Sequence, residues 1–224
     1  MSTATPATNI TDRYEFNRLA MVDLLRSKYR ILDEHVLKVM ARLPRHRFVP
    51  EAIESQAYQD NALPIAGGQT ISQPYIVARM TELLELKGDE KVLEIGAGTG
   101  YQTAILSSLA NRVYSIERLP NLAAEAESRL VAMGFQNVTI KAGDGTQGWA
   151  DRAPFDAILV AASGPSIPMP LVSQLRVGGK LVVPVGGAMN SQDLILVTRT
   201  PDGYTQTNCG PCAFVPLIGE HGWK

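Results

Sequence analysis

The stretch Val92-Leu93-Glu94-Ile95-Gly96-Ala97-Gly98-Thr99-Gly100 runs from buried-strand residues into a glycine-rich turn, and from Tyr101 the sequence reads as a helix. A strand, a glycine turn and a helix in that order form the place where an open α/β sheet binds ligands, beyond the carboxyl ends of its strands. Glycine in such a turn permits positive φ and lets the backbone approach a ligand closely. The spacing departs from the Gly-x-Gly-x-x-Gly loop that sets a pyrophosphate on a helix N-terminus. Here the third glycine, Gly100, comes one residue early, and Tyr101 takes its slot. Taken alone, the loop reads equally as a tight turn with no ligand.

Outward from this unit, short apolar strands alternate with helical segments. Val92–Ile95, Arg112–Ile116, Val138–Lys141, Ala157–Ala161 and Lys180–Val185 read as strands, and Tyr101–Ala110, Leu122–Met133 and Pro170–Leu175 as helices. Such alternation predicts a mostly parallel sheet covered by helices on both faces, with right-handed crossovers. Leu194–Thr200 and Ala213–Leu217 read as late strands joined through the Pro201-Asp202-Gly203 turn, an antiparallel pair at the sheet edge. Before the sheet the chain reads as helical. From Asp33 an apolar stripe runs through Val36, Leu37, Met40 and Leu43 until Pro44 stops it. Pro74 opens another helix, with Ile76, Val77, Met80, Leu83 and Leu84 on its buried face. The fold expected is Rossmann-like α/β: a mostly parallel twisted sheet with antiparallel C-terminal edge strands and an N-terminal helical extension. One domain is expected over 1–224. It divides into a disordered Ser/Thr/Ala/Pro-rich tail (1–11, notably Met1 to Asn9), a helical part with a loop (12–90), a ligand-binding core (91–185) and C-terminal strands (186–224).

Composition bounds the function. The 224 residues are 45% hydrophobic and 19% charged, with a formal net charge of −1. Such a chain builds a core without disulfide staples and offers no broad basic field for nucleic acid or anionic lipid. A local basic cluster remains at Arg42, Arg45, His46 and Arg47. No apolar run reaches the roughly 18 residues a membrane span needs, and the first residues lack a signal-peptide layout. A cytoplasmic protein is expected, with no nucleic-acid or membrane partner, and a monomer because no apolar stripe is left over.

Acidic residues then narrow the ligand. Glu94 sits within the first strand's end, Glu117 at the end of the next strand, and Asp144 after the third, in Gly143-Asp144-Gly145. A carboxylate at the second position accepts bonds from ribose hydroxyls. Each acid alone is as readily a solvated or helix-capping carboxylate. Together they suit a ligand with a ribose, an exocyclic amine, a positive charge and no phosphate, which describes S-adenosylmethionine.

The layout resembles class I methyltransferases, and further segments resemble the protein-L-isoaspartate O-methyltransferase family. These are Leu43-Pro44-Arg45-His46-Arg47-Phe48-Val49-Pro50, Leu63-Pro64-Ile65, and Gln69-Thr70-Ile71-Ser72-Gln73-Pro74-Tyr75. Further on come Val92 to Gln102, Gly143-Asp144-Gly145, Ala153 to Ile158, Gly178-Gly179-Lys180-Leu181 and Phe214-Val215-Pro216-Leu217. The glycine loop is common to many methyltransferases; the Gln69 to Pro74 segment is specific to this family. The resemblance implies methyl transfer from S-adenosylmethionine to the free α-carboxyl of L-isoaspartyl residues in damaged proteins, with S-adenosylhomocysteine as product. The ester then closes to a succinimide whose hydrolysis returns some aspartate. It implies Ser72 as the active-site serine and Gln69, Thr70, Ile71 and Ser72 lying across the cofactor. Glu117, with Arg118 beside it, falls at the ribose, Asp144 and Gly145 at the adenine, and Glu94, Gly96 and Gly98 at the methionine end.

On pattern alone Ser72 reads as readily as a cap before the helix-opening Pro74. As a catalytic group its task is modest. An α-carboxylate has a pKa near ~3.5 and is already ionised at neutral pH. No base is needed, in keeping with His35, His46 and His221, which stand in no catalytic motif. Orientation and exclusion of water remain, served by the hydroxyl and by a lid over Leu63–Gln73 hinged at Gly67-Gly68. An extended acceptor peptide is expected to take backbone bonds from Ala213–Leu217, so Ala213 and Val215 join the substrate site; a buried edge strand is the alternative. Many bacterial members of the family have a basic residue where this chain has Ala213.

Cys209-Gly210-Pro211-Cys212 matches a thioredoxin-type string, but a strand-like segment follows where that motif needs a helix. A coincidence in a loop is expected, and a reversible disulfide is the sharper alternative. Two cysteines do not complete a structural zinc site, so no metal is expected. Two other functions stay open: a carboxyl methyltransferase for a different, dedicated peptide, and a redox-sensing protein using Cys209 and Cys212.

Overall fold

A computed structural model of the chain describes residues 13–187 and 191–224. The expected disordered tail lies outside the described residues. The described part begins with α1 (Glu15–Ser27) and α2 (Glu34–Arg42). Asp33 caps α2, its carboxylate accepting from the N–H groups of His35 and Val36. A small antiparallel hairpin follows, β1 (Leu63–Pro64) with β2 (Thr70–Ile71), and then α3 (Pro74–Leu84), opened by its proline.

The alternating part is β3 (Lys91–Ile95), α4 (Tyr101–Leu109), β4 (Arg112–Glu117), α5 (Pro120–Ala132), β5 (Val138–Ala142), β6 (Phe155–Val160), α6 (Met169–Ser173) and β7 (Leu175–Gly186). β8 (Gln192–Thr200) and β9 (Gly203–Cys212) complete a seven-stranded sheet of order β5-β4-β3-β6-β7-β8-β9. Strands β3 to β7 pair in parallel, and β7-β8-β9 form an antiparallel meander. The expected Rossmann-like architecture is therefore present. The chain passes from β3 outward to β4 and β5, then returns to place β6 on the other side of β3. This reversal opens a crevice beyond the ends of β3 and β6.

Alternation along each strand fills both faces of the sheet. Leu93 and Ile95 of β3 join Ile158, Val160, Leu171 and Val183 in one buried cluster. Val92 faces the other way and joins Ile76, Met80, Leu106, Leu159 and Val182 beneath α3 and α4. A third cluster packs α1 and α2 against α4, with Leu25, Leu37, Met40, Tyr101 and Ile105 buried. Burying each such side chain contributes about 1.5–3 kcal/mol.

Two sequence expectations are corrected. The last strand is Gly203–Cys212, not Ala213–Leu217. It is an edge strand with mostly exposed polar side chains, so its composition does not announce it. Ala213–Leu217 is held by irregular contacts instead. The Gln192 side chain binds both polar backbone groups of Phe214, and Ser163 bonds Val215 O and Leu217 N. The cysteine pair thus sits at the end of β9, with Cys212 paired to Gln192, rather than in a free loop.

Candidate active site

At the reversal between β3 and β6 lies a cavity of ≈ 310 Å³, within the size range of small-molecule sites. Its floor is the turn after β3. Gly98 and Gly100 adopt φ of 54° and 88°, a conformation a side chain opposes. At Gly100 a Cβ would also stand 3.4 Å from Leu130 of α5, so glycine lets α4 start close to its neighbour. α4 begins without a side-chain cap, leaving its N-terminal N–H groups toward the crevice as an anion-friendly end.

Glu117 ends β4 on the cavity wall. Gly98 N–H donates to its Oε2 at 2.9 Å and Leu119 N–H to its Oε1 at 3.0 Å. Two backbone donors fix the carboxylate, and its remaining lone pairs stay available for ligand hydroxyls.

The β1–β2 hairpin lies across this floor. Its tip, Gly67 and Gly68, takes φ of 70° and 69°. A Cβ on Gly67 would come 2.8 Å from Leu119 Cδ1, and one on Gly98 would come 4.0 Å from Ile65. The segment lies against the glycine turn and Leu119, and the glycine pair forms the turn at its tip.

Ser72 follows β2 and lines the cavity with Gln69, Thr70 and Ile71. It does not cap α3. That end is served by Asp60, which accepts from Tyr75 N–H at 3.1 Å and from the Gln73 side chain at 3.0 Å. Ser72 is held through its carbonyl, which accepts from Arg45 Nη2 at 2.8 Å. Tyr101 also borders the cavity; burial pushes its phenol up to about 12, against the pull of the Arg45 charge.

Of the residues expected from sequence, Gln69, Thr70, Ile71, Ser72, Gly96, Gly98, Glu117, Arg118, Gly145 and Val215 come together around this cavity. Three do not. Glu94 alternates with Ile95 and faces the helix-covered side, fully buried beneath α4. Its Oε2 accepts from the hydroxyls of Thr103 and Ser115, both at 2.6 Å, and its Oε1 has no hydrogen-bond partner among the described residues. Burial pushes this carboxyl up to about 7, with the Ser115 and Thr103 bonds pulling down and Glu117 pushing up. Asp144 turns toward the C-terminal segment. Its Oδ1 accepts from Thr146 N–H and hydroxyl, and its Oδ2 from Glu220 N–H. Burial pushes its carboxyl up, but these bonds outweigh it and the net shift is downward. Ala213 does not line the cavity, and the backbone bonds of its segment go to Gln192, Ser163 and Trp223. Of the three acids expected at the crevice, Glu117 lines the cavity, while Glu94 is buried beneath α4 and Asp144 bonds Thr146 and Glu220.

The sequence reading missed Tyr101, Gln102, Ala161, Ala162 and Ile218 as cavity residues. Ala161 and Ala162 carried a usable signal, since they follow β6, the strand across the reversal from β3. Ile218 carried none, because an irregular segment brings it there. None of the three histidines lines the cavity. Among the described residues no His, Cys, Asp and Glu cluster of three or more could hold a metal, and no helix is long and apolar enough to cross a membrane. Cys209 and Cys212 are free thiols. Burial, with Asp193 nearby, pushes Cys212 up to about 11, opposite to the shift a reactive thiol needs.

Comparison with known proteins bears on the family and the fold. The family model described as protein-L-isoaspartate(D-aspartate) O-methyltransferase matches residues 17–222. A protein-L-isoaspartate O-methyltransferase of Syntrophus aciditrophicus is 55% identical over 216 residues, covering 95% of this chain and 99% of the relative. One from Dictyoglomus thermophilum is 50% identical over 214 residues, covering 96% of each chain. Among solved structures, a protein-L-isoaspartate O-methyltransferase superposes with a TM-score of 0.81 at 28% identity, covering 92% of this chain and 67% of its own. A Plasmodium falciparum protein described as the same enzyme, in complex with S-adenosyl-L-homocysteine, shares the fold with a TM-score of 0.78 at 23% identity, covering 91% of this chain and 99% of its own.

Proposed function

Because the chain belongs to the protein-L-isoaspartate(D-aspartate) O-methyltransferase family, we propose that it methylates the free α-carboxyl of L-isoaspartyl residues in damaged proteins, and that Ser72 orients the acceptor. The enzyme uses S-adenosylmethionine and releases S-adenosylhomocysteine. When bound, the cofactor supplies a methyl group on a positively charged sulfur. The residues around the cavity fit it: a carboxylate for ribose hydroxyls, apolar walls at Ile95 and Ile116, a close-approach glycine turn, and the uncapped start of α4 for its carboxylate.

The chain's own groups then have three tasks. Glu117, held by two backbone N–H groups, binds the ribose, with Gly96, Gly98 and Arg118 beside it. The hairpin carrying Gln69, Thr70 and Ile71 covers the crevice and excludes water. The Ser72 hydroxyl holds one oxygen of the acceptor carboxylate and aims the other at the methyl carbon. No proton has to be removed, since the acceptor is ionised at neutral pH with a pKa near ~3.5. The ester product carries a good leaving group, and the neighbouring amide nitrogen closes a succinimide that hydrolyses partly to aspartate.

One observation carries the Ser72 assignment. The serine lines the cavity while Asp60 performs the capping task that a residue before Pro74 would otherwise perform. Gly145 and Val215 border the same space; Asp144 and Glu94 act from behind it, shaping the turns. We read the chain as one domain, cytoplasmic and monomeric, with isoaspartyl proteins as partners and without nucleic-acid or membrane partners. The test of Ser72 is Ser72→Ala. S-adenosylhomocysteine binding stays near the wild-type value, while ester formation on an isoaspartyl peptide falls by about 10²-fold, the scale of a lost orienting contact. Wild-type turnover in this variant refutes the assignment.

A further inference from the structure

We propose that Arg45 is a positioning residue for the acceptor: a buried positive charge set behind Ser72 that fixes the Ser72 backbone and favours a carboxylate at its hydroxyl. The inference rests on the assignment of Ser72 to acceptor binding.

Arg45 follows Pro44 in a short 3-10 turn and is 0% exposed. Its Nε donates to Ala57 O at 2.7 Å and its Nη2 to Ser72 O at 2.8 Å, so one planar fork ties two chain segments together. Its guanidinium carbon stands 4.7 Å over the Tyr101 ring, and Tyr101 is itself a wall of the cavity. Among the described residues, Arg45 Nη1 and the Tyr101 hydroxyl are both buried and have no well-formed hydrogen bond, their polar interaction being with each other.

Among the described residues Arg45 has no carboxylate at ion-pair distance. Asp60 acts on it from further away and has its oxygens occupied by Gln73 and Tyr75. Buried charges are ordinarily paired, because burial removes their hydration. Two carbonyls and an aromatic face offset part of that loss, but none of them carries a negative charge. The reaction brings one: an ionised acceptor carboxylate at the residue whose carbonyl Arg45 holds. A fixed positive charge in a water-poor site attracts that group without reorganising. It also discriminates against a neutral amide at the same position.

The test compares wild type, Arg45→Gln and Arg45→Lys in the dead-end complex with S-adenosylhomocysteine, where no turnover occurs. Calorimetry gives Kd for an isoaspartyl peptide with a free α-carboxylate and for the matched peptide with an α-carboxamide. Arg45→Gln reduces the carboxylate-over-carboxamide preference by about tenfold, a factor corresponding to ~1.4 kcal/mol. Arg45→Lys keeps the preference because it keeps the charge, although its single head cannot hold both carbonyls. S-adenosylhomocysteine affinity stays unchanged in both. An unaltered preference in Arg45→Gln, or equal weakening of both peptides, overturns the proposal in favour of a purely structural staple. If Arg45→Gln does not fold, Arg45→Lys decides: a lost preference overturns the charge account and a retained one supports it. Failure of the wild type to methylate the carboxylate peptide sinks the functional reading itself, a result distinguishable from either variant outcome.

Discussion

Replacing Glu117 by Gln removes one charge and leaves the side-chain shape almost unchanged. In the structure, Oε1 and Oε2 accept from Leu119 and Gly98 N–H at 3.0 and 2.9 Å, and the residue is 6% exposed. Gln offers a single oxygen, so its amide nitrogen faces one of the two backbone donors and leaves it unsatisfied. That loss costs about 1–3 kcal/mol of stability, and roughly 2–4 °C in Tm per kcal/mol for a chain of this size. Cofactor binding suffers separately. Hydrogen bonds from ribose hydroxyls to a charged acceptor contribute about 1.5–3 kcal/mol, so Kd for S-adenosylhomocysteine rises roughly 10- to 100-fold. Titration calorimetry at a temperature well below the variant's Tm separates the two effects. An unchanged Kd beside a lowered Tm refutes the ribose role and leaves Glu117 only as the brace of the glycine turn.

Glu94 gives a pH-dependent prediction. Its carboxyl is pushed up to about 7 by burial, so the folded state holds the proton more tightly than the unfolded chain does. The contribution is full below the unfolded carboxyl value near ~4.3 and is lost as pH rises through the folded value. Relative to Glu94→Gln, the wild type loses on the order of 3 kcal/mol between about pH 4.5 and about pH 8 in urea unfolding; a pH-independent difference contradicts this charge state. For the thiols, replacing both Cys209 and Cys212 by Ser leaves methyl transfer unchanged with or without reductant. A reductant-dependent wild-type rate that disappears in the double variant would restore a redox role.

Much of the fold was legible because local and long-range signals agreed. The β3 apolar run, the glycine turn and the start of α4 at Tyr101 all stand within a residue or two of expectation. Pro74 and Asp33 mark helix starts by mechanisms that act locally. β9 was not legible: edge strands pair on one side only, and Tyr204 to Asn208 keep polar, exposed side chains there. In the site, Glu117 and the Gln69 to Ser72 segment were readable. Strand parity could have warned against Glu94, since it shares a face with the buried Val92. Asp144 could not be judged from sequence. Its carboxylate is turned by Glu220, 76 positions away, and no local pattern encodes that contact. The role of Asp60 as the cap of α3 was hidden for the same reason.

The most direct measurement incubates the enzyme with methyl-labelled S-adenosylmethionine and a pair of peptides that differ only in an isoaspartyl or an aspartyl linkage at one position. The account predicts base-labile label on the isoaspartyl peptide alone. Equal label on both peptides, or on the aspartyl peptide alone, contradicts it.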